Sequence, residues 1–259
     1  MLIEFLRSRR LKKLYRHIPE PARNKMLQRT KHFDRIGPIK IPSEIDGVVH
    51  QLYLFYYVFY RSQRQYFLIT RNHDLVFTQP FLRVSSNCFF SYIVNSRRCD
   101  CKWQLNYAYE QLARQSDDDF LVIFAVDEHG KAIEGGLRGH ALLYALGQEL
   151  GQELILEAYQ RNGFEPDSRD YRDICLILES LSVANLRLLT NNPDRVKSFK
   201  DNGYFVQRVA IEQPYDKYLS EELGVKKQKL GHELKLDGFS EEDIEVYNLS
   251  KNSLKPGAS

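Results

Sequence analysis

Residues 185–211 read NLRLLTNNPDRVKSFKDNGYFVQRVAI, and this stretch decides the class of fold. The apolar run at 185–189 predicts a strand, the Thr-Asn-Asn-Pro after it predicts a turn, and the spacing within 194–200 predicts a helix. A second strand is predicted over 205–211, which completes a strand–helix–strand unit. Such a unit indicates an α/β fold, with helices layered on a sheet in the order α/β/α.

The rest of the chain predicts a mixed sheet. Aromatic and β-branched runs at 48–60, 66–70 and 75–84, separated by polar turns, indicate antiparallel strands. The continuous apolar run at 120–126 predicts a strand buried on both faces. Helical spacing is found at 103–113, 137–150 and 171–181.

The pattern of charge and proline predicts three parts. Residues 1–44 indicate a basic helical arm, because the first 40 residues hold twelve Lys or Arg and only three Asp or Glu. Such an arm can attract phosphate, an anionic membrane or an acidic partner, or it can be a solvated helix face. Residues 45–234 are predicted to form one catalytic domain, and residues 235–259 a polar tail.

Composition narrows the class of protein. With 259 residues, 43% hydrophobic and 27% charged, the chain has a globular composition, which excludes disorder or collagen-like structure for most of it. Its longest apolar stretch, 48–60, is shorter than the roughly 20 residues of a membrane helix, so no membrane span is expected. The amino terminus is apolar and then basic, the reverse of a secretory signal, so we expect a cytoplasmic protein. No nucleic-acid partner is expected.

Three of the four cysteines are crowded together, and their spacing favours a metal site. Cys88, Cys99 and Cys101 form a C-x10-C-x-C pattern that suits Zn²⁺ in a reducing compartment. Cys175 lies in an apolar run and is expected to be a buried core thiol. The fourth position on the metal can hold water, whose pKa a catalytic zinc lowers towards neutrality. The alternatives are three ordinary thiols or a structural site completed by a histidine.

Several motifs around these cysteines resemble the zinc region of GTP cyclohydrolase II. They are Arg83-Val84-Ser85-Ser86-Asn87-Cys88, Arg98-Cys99-Asp100-Cys101 and Gln104-Leu105. The similarity covers about residues 75–234 and continues through Gly136-Leu137, Tyr144-Ala145-Leu146, Gly163-Phe164, Asp167-Ser168-Arg169-Asp170-Tyr171, Leu188-Leu189-Thr190-Asn191-Asn192-Pro193, Tyr218-Leu219 and Lys229-Leu230-Gly231-His232. So many motifs in one order are much less probable by chance than any one of them.

The resemblance implies a reaction and its cofactors. In that family GTP loses C8 as formate and its outer phosphates as pyrophosphate, which begins riboflavin synthesis. The resemblance implies one Zn²⁺ per chain, held by Cys88, Cys99 and Cys101, with a water that attacks C8. It also implies Mg²⁺ with the nucleotide triphosphate, a purine nucleotide substrate, and a homodimer.

The resemblance also implies roles for other residues. Arg169 is the candidate nucleophile or anchor at the α-phosphorus, Asp167 its proton acceptor, and Tyr144 a group that orients the ring-opening steps. Because a guanidinium is almost always protonated, phosphate clamping is an equally good interpretation of the Asp167 and Arg169 pair, and a helix cap with a surface ion pair is a third. The implied substrate-binding residues are Arg83, Gln104, Lys131, Thr190 and Arg195, although Thr190 can also be a plain turn residue.

The departures from the family all concern nucleotide binding. Ser85 and Asn87 replace a histidine and a glutamate, His129 and Lys131 replace the outer residues of Glu-Gly-Arg, Ile155 replaces a threonine, and Arg195 replaces a lysine. Three hypotheses remain open: a divergent GTP cyclohydrolase II, a paralogue acting on another nucleotide or heterocycle, and a catalytically silent nucleotide-binding protein that keeps zinc for stability.

Overall fold

A computed structural model describes residues 19–97, 99–114, 119–126, 170–211, 213–214, 216, 219, 223–224, 226–227 and 231–235. The helices are α1 (Glu20–Met26), α2 (Phe89–Tyr92), α3 (Cys101–Arg114), α4 (Arg172–Ser180) and α5 (Pro193–Asp201). The strands are β1 (Leu27–Arg29), β2 (Phe33–Ile45), β3 (Val48–Phe59), β4 (Gln65–Thr70), β5 (Phe81–Ser86), β6 (Phe120–Ala125), β7 (Asn185–Leu189) and β8 (Phe205–Val209). None of these helices has the length and apolar character needed to span a membrane. The helix predicted over 137–150 lies outside the described residues.

The eight strands of the described residues form one mixed sheet in the order β1-β2-β3-β4-β6-β5-β7-β8. From β1 through β4 to β6 every neighbouring pair is antiparallel. On the other side β5 runs parallel to β6 and to β7, and β7 runs parallel to β8. The predicted α/β fold with a mixed sheet is therefore confirmed, and the unit at 185–211 forms its parallel end.

Helices cover both faces of the sheet, and β6 shows the consequence. Leu121 and Ile123 belong to the apolar cluster that contains residues of α4 and α5. Phe120 and Val122 belong to the cluster that contains residues of α3. All four side chains are at most 1% exposed, which confirms the prediction of a strand buried on both faces. Each such side chain contributes about 1.5–3 kcal/mol by leaving water.

The first correction concerns the predicted basic helical arm. Residues 33–45 form β2, which pairs with β3 from Phe33 opposite Phe59 to Ile45 opposite Val48. The arm prediction is wrong over this stretch, and also over Leu27–Arg29, which forms β1 beside β2, because strand pairing outweighs the local charge pattern. At Gly37 an added Cβ would lie 2.7 Å from a β3 carbonyl oxygen, so the register shift in β2 needs glycine there. The boundary drawn at residue 45 falls on the last residue of β2, and the division into 45–234 and 235–259 stays a prediction.

The second correction concerns residues 75–84, which the apolar pattern predicts as one strand. The strand is Phe81–Ser86, and the residues before it form a turn. The Asn72 side chain accepts the backbone N–H of Leu75 at 3.1 Å, and Leu75 itself has a positive φ of 59°. Asp119 accepts two further backbone N–H groups of this turn, at 3.2 and 2.9 Å. Side-chain bonds to the backbone therefore replace a sheet ladder here.

Candidate active site

The candidate site lies at the edge of the sheet where two parallel strands end. β5 ends at Ser86 and is followed by Cys88, while β7 ends at Leu189 and is followed by Thr190. β5 and β7 are paired only at the start of β5, at Phe81 and Leu82. Beyond that point the carbonyl groups that face the gap between β5 and β7 need other partners. The edge at the carboxyl ends of parallel strands is also where α/β proteins bind ligands.

The three cysteines of the predicted metal site lie together. Cys88 follows β5, α2 and a loop reverse the chain, and Cys101 is the first residue of α3. Their sulfur atoms all lie within 4.8 Å of one another, and Cys88 Sγ is 3.5 Å from Cys99 Sγ. A tetrahedral zinc with Zn–S bonds of about 2.3 Å separates its sulfur ligands by about 3.8 Å. The cluster therefore fits the ligand set of a zinc ion.

The protonation of the cysteines also favours a bound cation. The hydrogen bond with the Cys101 thiol raises the pKa of Cys88 far above its usual range, and burial and the charge of Cys101 add to the effect. Three crowded thiols therefore resist ionising together unless a cation compensates their charge. Cys88 is buried, whereas Cys99 and Cys101 are partly exposed, so the cluster is accessible from one side.

The loop that carries Cys99 is held by α2. Ser91 is buried, and its hydroxyl accepts the backbone N–H of Lys102 at 2.7 Å and donates to the Cys99 carbonyl at 3.4 Å. The Tyr92 hydroxyl donates to the Cys101 carbonyl at 3.4 Å. Such bonds orient metal ligands from outside the coordination shell. Cys175 lies apart from the cluster, buried in the apolar core as predicted.

A buried polar network runs behind the cysteines. Arg83, 6% exposed, donates through Nη1 to the Leu189 carbonyl at 3.1 Å and through Nη2 to Gln104 Oε1. Gln104 Nε2 donates to Asp100 Oδ2 at 2.6 Å, and Lys226 Nζ donates to Asp100 Oδ1 at 2.9 Å. The structure thus brings together the predicted residues Arg83 and Gln104. Sequence reasoning did not select Asp100 or Lys226, although the position of Asp100 between two cysteines was a usable signal.

Arg195 lies in the first turn of α5. The Asn192 side chain caps this helix, accepting the backbone N–H of Asp194 at 2.8 Å and of Arg195 at 3.2 Å. Arg195 is 5% exposed, and it donates through Nε to the Tyr171 hydroxyl and through Nη1 to the Val84 carbonyl, both at 3.0 Å. It therefore joins α5 to β5 and to the residue before α4.

Thr190 is placed in the turn between β7 and α5. Its hydroxyl accepts the backbone N–H of Asn192 at 3.1 Å, and its own N–H donates to the Val209 carbonyl at 3.0 Å. The residue is 2% exposed. Thr190 is thus a turn residue, as one of the two interpretations predicts. Its role in substrate binding stays a prediction.

A small cleft lies between β5 and the start of α4. Its walls include Arg64, Tyr66, Ser85, Asp170, Tyr171 and Arg195. Burial and, after it, the positive charge of Arg195 together lower the pKa of Arg83 to about 10. Two buried guanidinium groups therefore repel each other, which favours an anion between or beside them.

The remaining predicted residues lie outside the described part of the chain. These are Lys131, Tyr144, Asp167 and Arg169, together with the departures His129 and Ile155. Asp170, the described residue that follows Arg169 in sequence, lies in the wall of the cleft. The roles of these residues stay predictions.

Comparison with known proteins decides the family. A family model described as GTP cyclohydrolase II matches residues 44–210. This chain belongs to the GTP cyclohydrolase II family. It is 38% identical over 164 residues to a GTP cyclohydrolase-2 of Pseudomonas putida, which covers 62% of the chain and 76% of that protein. It is 32% identical over 165 residues to a GTP cyclohydrolase-2 of Shewanella pealeana, with 63% and 76% covered.

A larger relative matches over a similar region. The chain is 35% identical over 159 residues to the riboflavin biosynthesis protein RibBA of Aquifex aeolicus. That match covers 60% of the chain but only 37% of the Aquifex protein. As a member of the GTP cyclohydrolase II family, the chain thus shares one region with a longer relative and most of the length of the two shorter ones.

Proposed function

We propose that this chain is a zinc-dependent hydrolase that opens the imidazole ring of GTP, with release of formate and pyrophosphate, in the synthesis of a riboflavin precursor. Family membership and the names of its relatives support a hydrolase of riboflavin biosynthesis. The observation that carries the proposal is that a three-thiol cluster and two buried arginines meet at one edge of the sheet.

The chain supplies a suitable place for one zinc ion. Cys88, Cys99 and Cys101 would hold it, since their spacing fits a tetrahedral metal and their crowding calls for a cation. When bound there, zinc supplies Lewis acidity and a water with a pKa near neutrality. The partial exposure of Cys99 and Cys101 lets a substrate ring approach from the open side.

The two arginines support an anionic substrate. The partners of Arg195 in the described part of the chain are a hydroxyl and a backbone carbonyl, both neutral. A buried guanidinium is costly unless an opposite charge compensates it. A phosphate group in the cleft would do so, and the guanidinium plane is suited to bind it. We propose that Arg83, Gln104, Lys131, Thr190 and Arg195 bind the nucleotide.

The phosphate chemistry is assigned to residues outside the described part. We propose that Arg169 acts at the α-phosphorus with Asp167 as its proton acceptor, and that Tyr144 orients the ring-opening steps. We also propose Mg²⁺ with the triphosphate, a homodimer and a cytoplasmic location. These roles rest on the resemblance, and Asp170, which follows Arg169 in sequence, lies in the wall of the cleft.

Incubation with GTP, Mg²⁺ and zinc tests the activity, with formate, pyrophosphate and the ultraviolet spectrum followed in parallel. Release of both products is expected, and release of neither by zinc-loaded protein would refute the proposal. The metal site is tested by zinc analysis of protein purified without added zinc. A Cys99→Ser, Cys101→Ser double variant should lose the ion, whereas the matched change Cys175→Ser should keep it.

A paralogue acting on another nucleotide is the second candidate, and Ser85 favours it. Ser85 replaces the family's histidine in the wall of the cleft, where it accepts from Arg83 Nε at 3.4 Å. A smaller side chain there changes the shape that a ring must fill. Formate from another purine nucleotide, with none from GTP, would favour this candidate. A shift in melting temperature when a purine nucleotide is added, without any turnover, would instead favour a catalytically silent nucleotide-binding protein.

A further inference from the structure

Two ion pairs join the carboxyl-terminal part of the described chain to the loop that contains Cys99 and Cys101. Leu219 and Leu223 are buried there. Asp216 accepts from Arg97 Nε at 3.0 Å, in a pair whose arginine is 67% exposed. The second ion pair joins Lys226 to Asp100 at 2.9 Å, with side chains only 19% and 5% exposed. Exposed ion pairs contribute little to stability, whereas removing one partner of a buried pair is costly. The Lys226–Asp100 pair is therefore the more important of the two for the structure.

The carboxylate of Asp100 faces two different groups. Its Oδ1 accepts from Lys226, and its Oδ2 accepts from the Gln104 amide nitrogen at 2.6 Å. On the other side of that amide, Gln104 Oε1 accepts from Arg83. A carboxylate only accepts and a guanidinium only donates, so a single orientation of the amide satisfies both neighbours. Within the described part of the chain, these two bonds leave one N–H and one oxygen lone pair of the amide for a ligand.

We propose that Lys226 is a positioning residue for the candidate site. By holding Asp100 in place it fixes the orientation of the Gln104 amide and the turn that carries Cys99 and Cys101. The part that concerns Gln104 rests on the proposed function, because it requires the amide to contact the nucleotide. The part that concerns the cysteines requires only that they bind zinc.

The physical reason is the cost of an unpaired buried charge. Without Lys226, the Asp100 carboxylate would lose its direct ion-pair partner and would turn towards water or another donor. The Gln104 amide would then lose the acceptor that sets its orientation. Since Asp100 lies between two of the cysteines in sequence, the same movement would displace their sulfur atoms. Partners outside the coordination shell typically change metal affinity or activity by about 10–100-fold.

The experiment compares Lys226→Met with Lys226→Arg and with Lys197→Met. Lys197 is the matched control, because it pairs with Asp201 at 2.6 Å on the surface of α5. For each protein we would measure the zinc dissociation constant by competition with a chromophoric chelator, KM and kcat for GTP with zinc in excess, and Tm. Lys226→Met should weaken zinc binding by about tenfold and raise KM more than it lowers kcat.

Lys226→Arg should recover most of both effects, and Lys197→Met should match the unchanged protein. If Lys226→Met lowers only Tm and leaves zinc affinity and KM unaltered, the lysine is merely structural and the proposal is overturned. If Lys226→Met does not fold, Lys226→Gln takes its place, with the same direction expected and the same refuting result. If the unchanged protein does not turn over GTP, the proposed function fails, and zinc affinity alone decides: weaker binding in the variant supports the positioning role, and equal binding overturns it.

Discussion

Replacement of Arg195 by lysine should destabilise the fold although it keeps the charge. The guanidinium donates in two directions, from Nε to the Tyr171 hydroxyl and from Nη1 to the Val84 carbonyl, each at 3.0 Å. A lysine ammonium is a single point on a flexible stem and cannot occupy both donor positions. One of the two acceptors therefore loses its partner inside the protein.

The magnitude follows from the bonds and the burial. A hydrogen bond from a charged donor contributes about 1.5–3 kcal/mol, and a buried acceptor left unpaired costs about 1–3 kcal/mol. Arg195 is 5% exposed, so solvent compensates little of either. We expect Arg195→Lys to lower the free energy of unfolding by about 2–3 kcal/mol, and Arg195→Met, which loses both bonds, by about 3–5 kcal/mol.

Urea unfolding of the zinc-loaded proteins, followed by circular dichroism, measures these changes. The matched control is Arg114→Lys, whose arginine is 65% exposed and lies 3.6 Å from Glu110 on α3. That variant should change the free energy of unfolding by less than about 1 kcal/mol. If Arg195→Lys unfolds like the unchanged protein, within about 0.5 kcal/mol, the two bonds do not hold α5 to β5 and the reasoning is wrong.

Three further predictions concern single side chains. Asn192→Ala removes the cap of α5 and should lower the free energy of unfolding by about 1 kcal/mol, measured in urea, with no loss of zinc. Leu188→Ala should cost about 2–5 kcal/mol because Leu188 is fully buried, whereas Phe205→Ala, at a residue 74% exposed, should cost less than about 1 kcal/mol; equal losses would contradict the sheet assignment. Burial raises the pKa of Asp173, so the folded state is penalised for ionising it. The stabilisation from protonated Asp173 is complete below the unfolded pKa of about 3.9 and is lost as the pH rises through the folded pKa. Asp173→Asn should therefore be more stable than the unchanged protein at pH 7 and should lose this advantage near pH 3.5. The opposite trend would refute the assignment.

The parts of the fold that could be predicted are those with a local signal. The run at 120–126 is apolar at every position because helices cover both faces of β6, and no other kind of strand needs such a run. The turn and helix after β7 are marked by Asn192 and Pro193, which cap and begin α5. The cysteine spacing predicted the cluster because metal ligation constrains residue type more strongly than packing does.

The parts that could not be predicted depend on distant partners. β2 contains two prolines and several charges, and its pairing with β3, and with β1 at its start, stabilises it as a strand. Lys226 is 126 residues from Asp100 in sequence, and nothing near it distinguishes it from its neighbour Lys227. The structural bonds of Arg195 could not be predicted either, because the resemblance implies only substrate binding for that residue.

The arrangement of charges explains how the site can stabilise the fold and still attract an anion. Arg83 and Arg195 each donate to a backbone carbonyl of the diverging strands, at Leu189 and Val84, so neutral acceptors satisfy them without cancelling their charge. The carboxylate of the network, Asp100, is separated from Arg83 by the neutral Gln104 amide. Burial is the main cause of the lowered pKa of Arg83, and Asp100 raises that pKa less strongly than Arg195 lowers it. A direct Asp–Arg pair would neutralise Arg83, whereas an interposed amide orients it and leaves its positive charge to act on a phosphate.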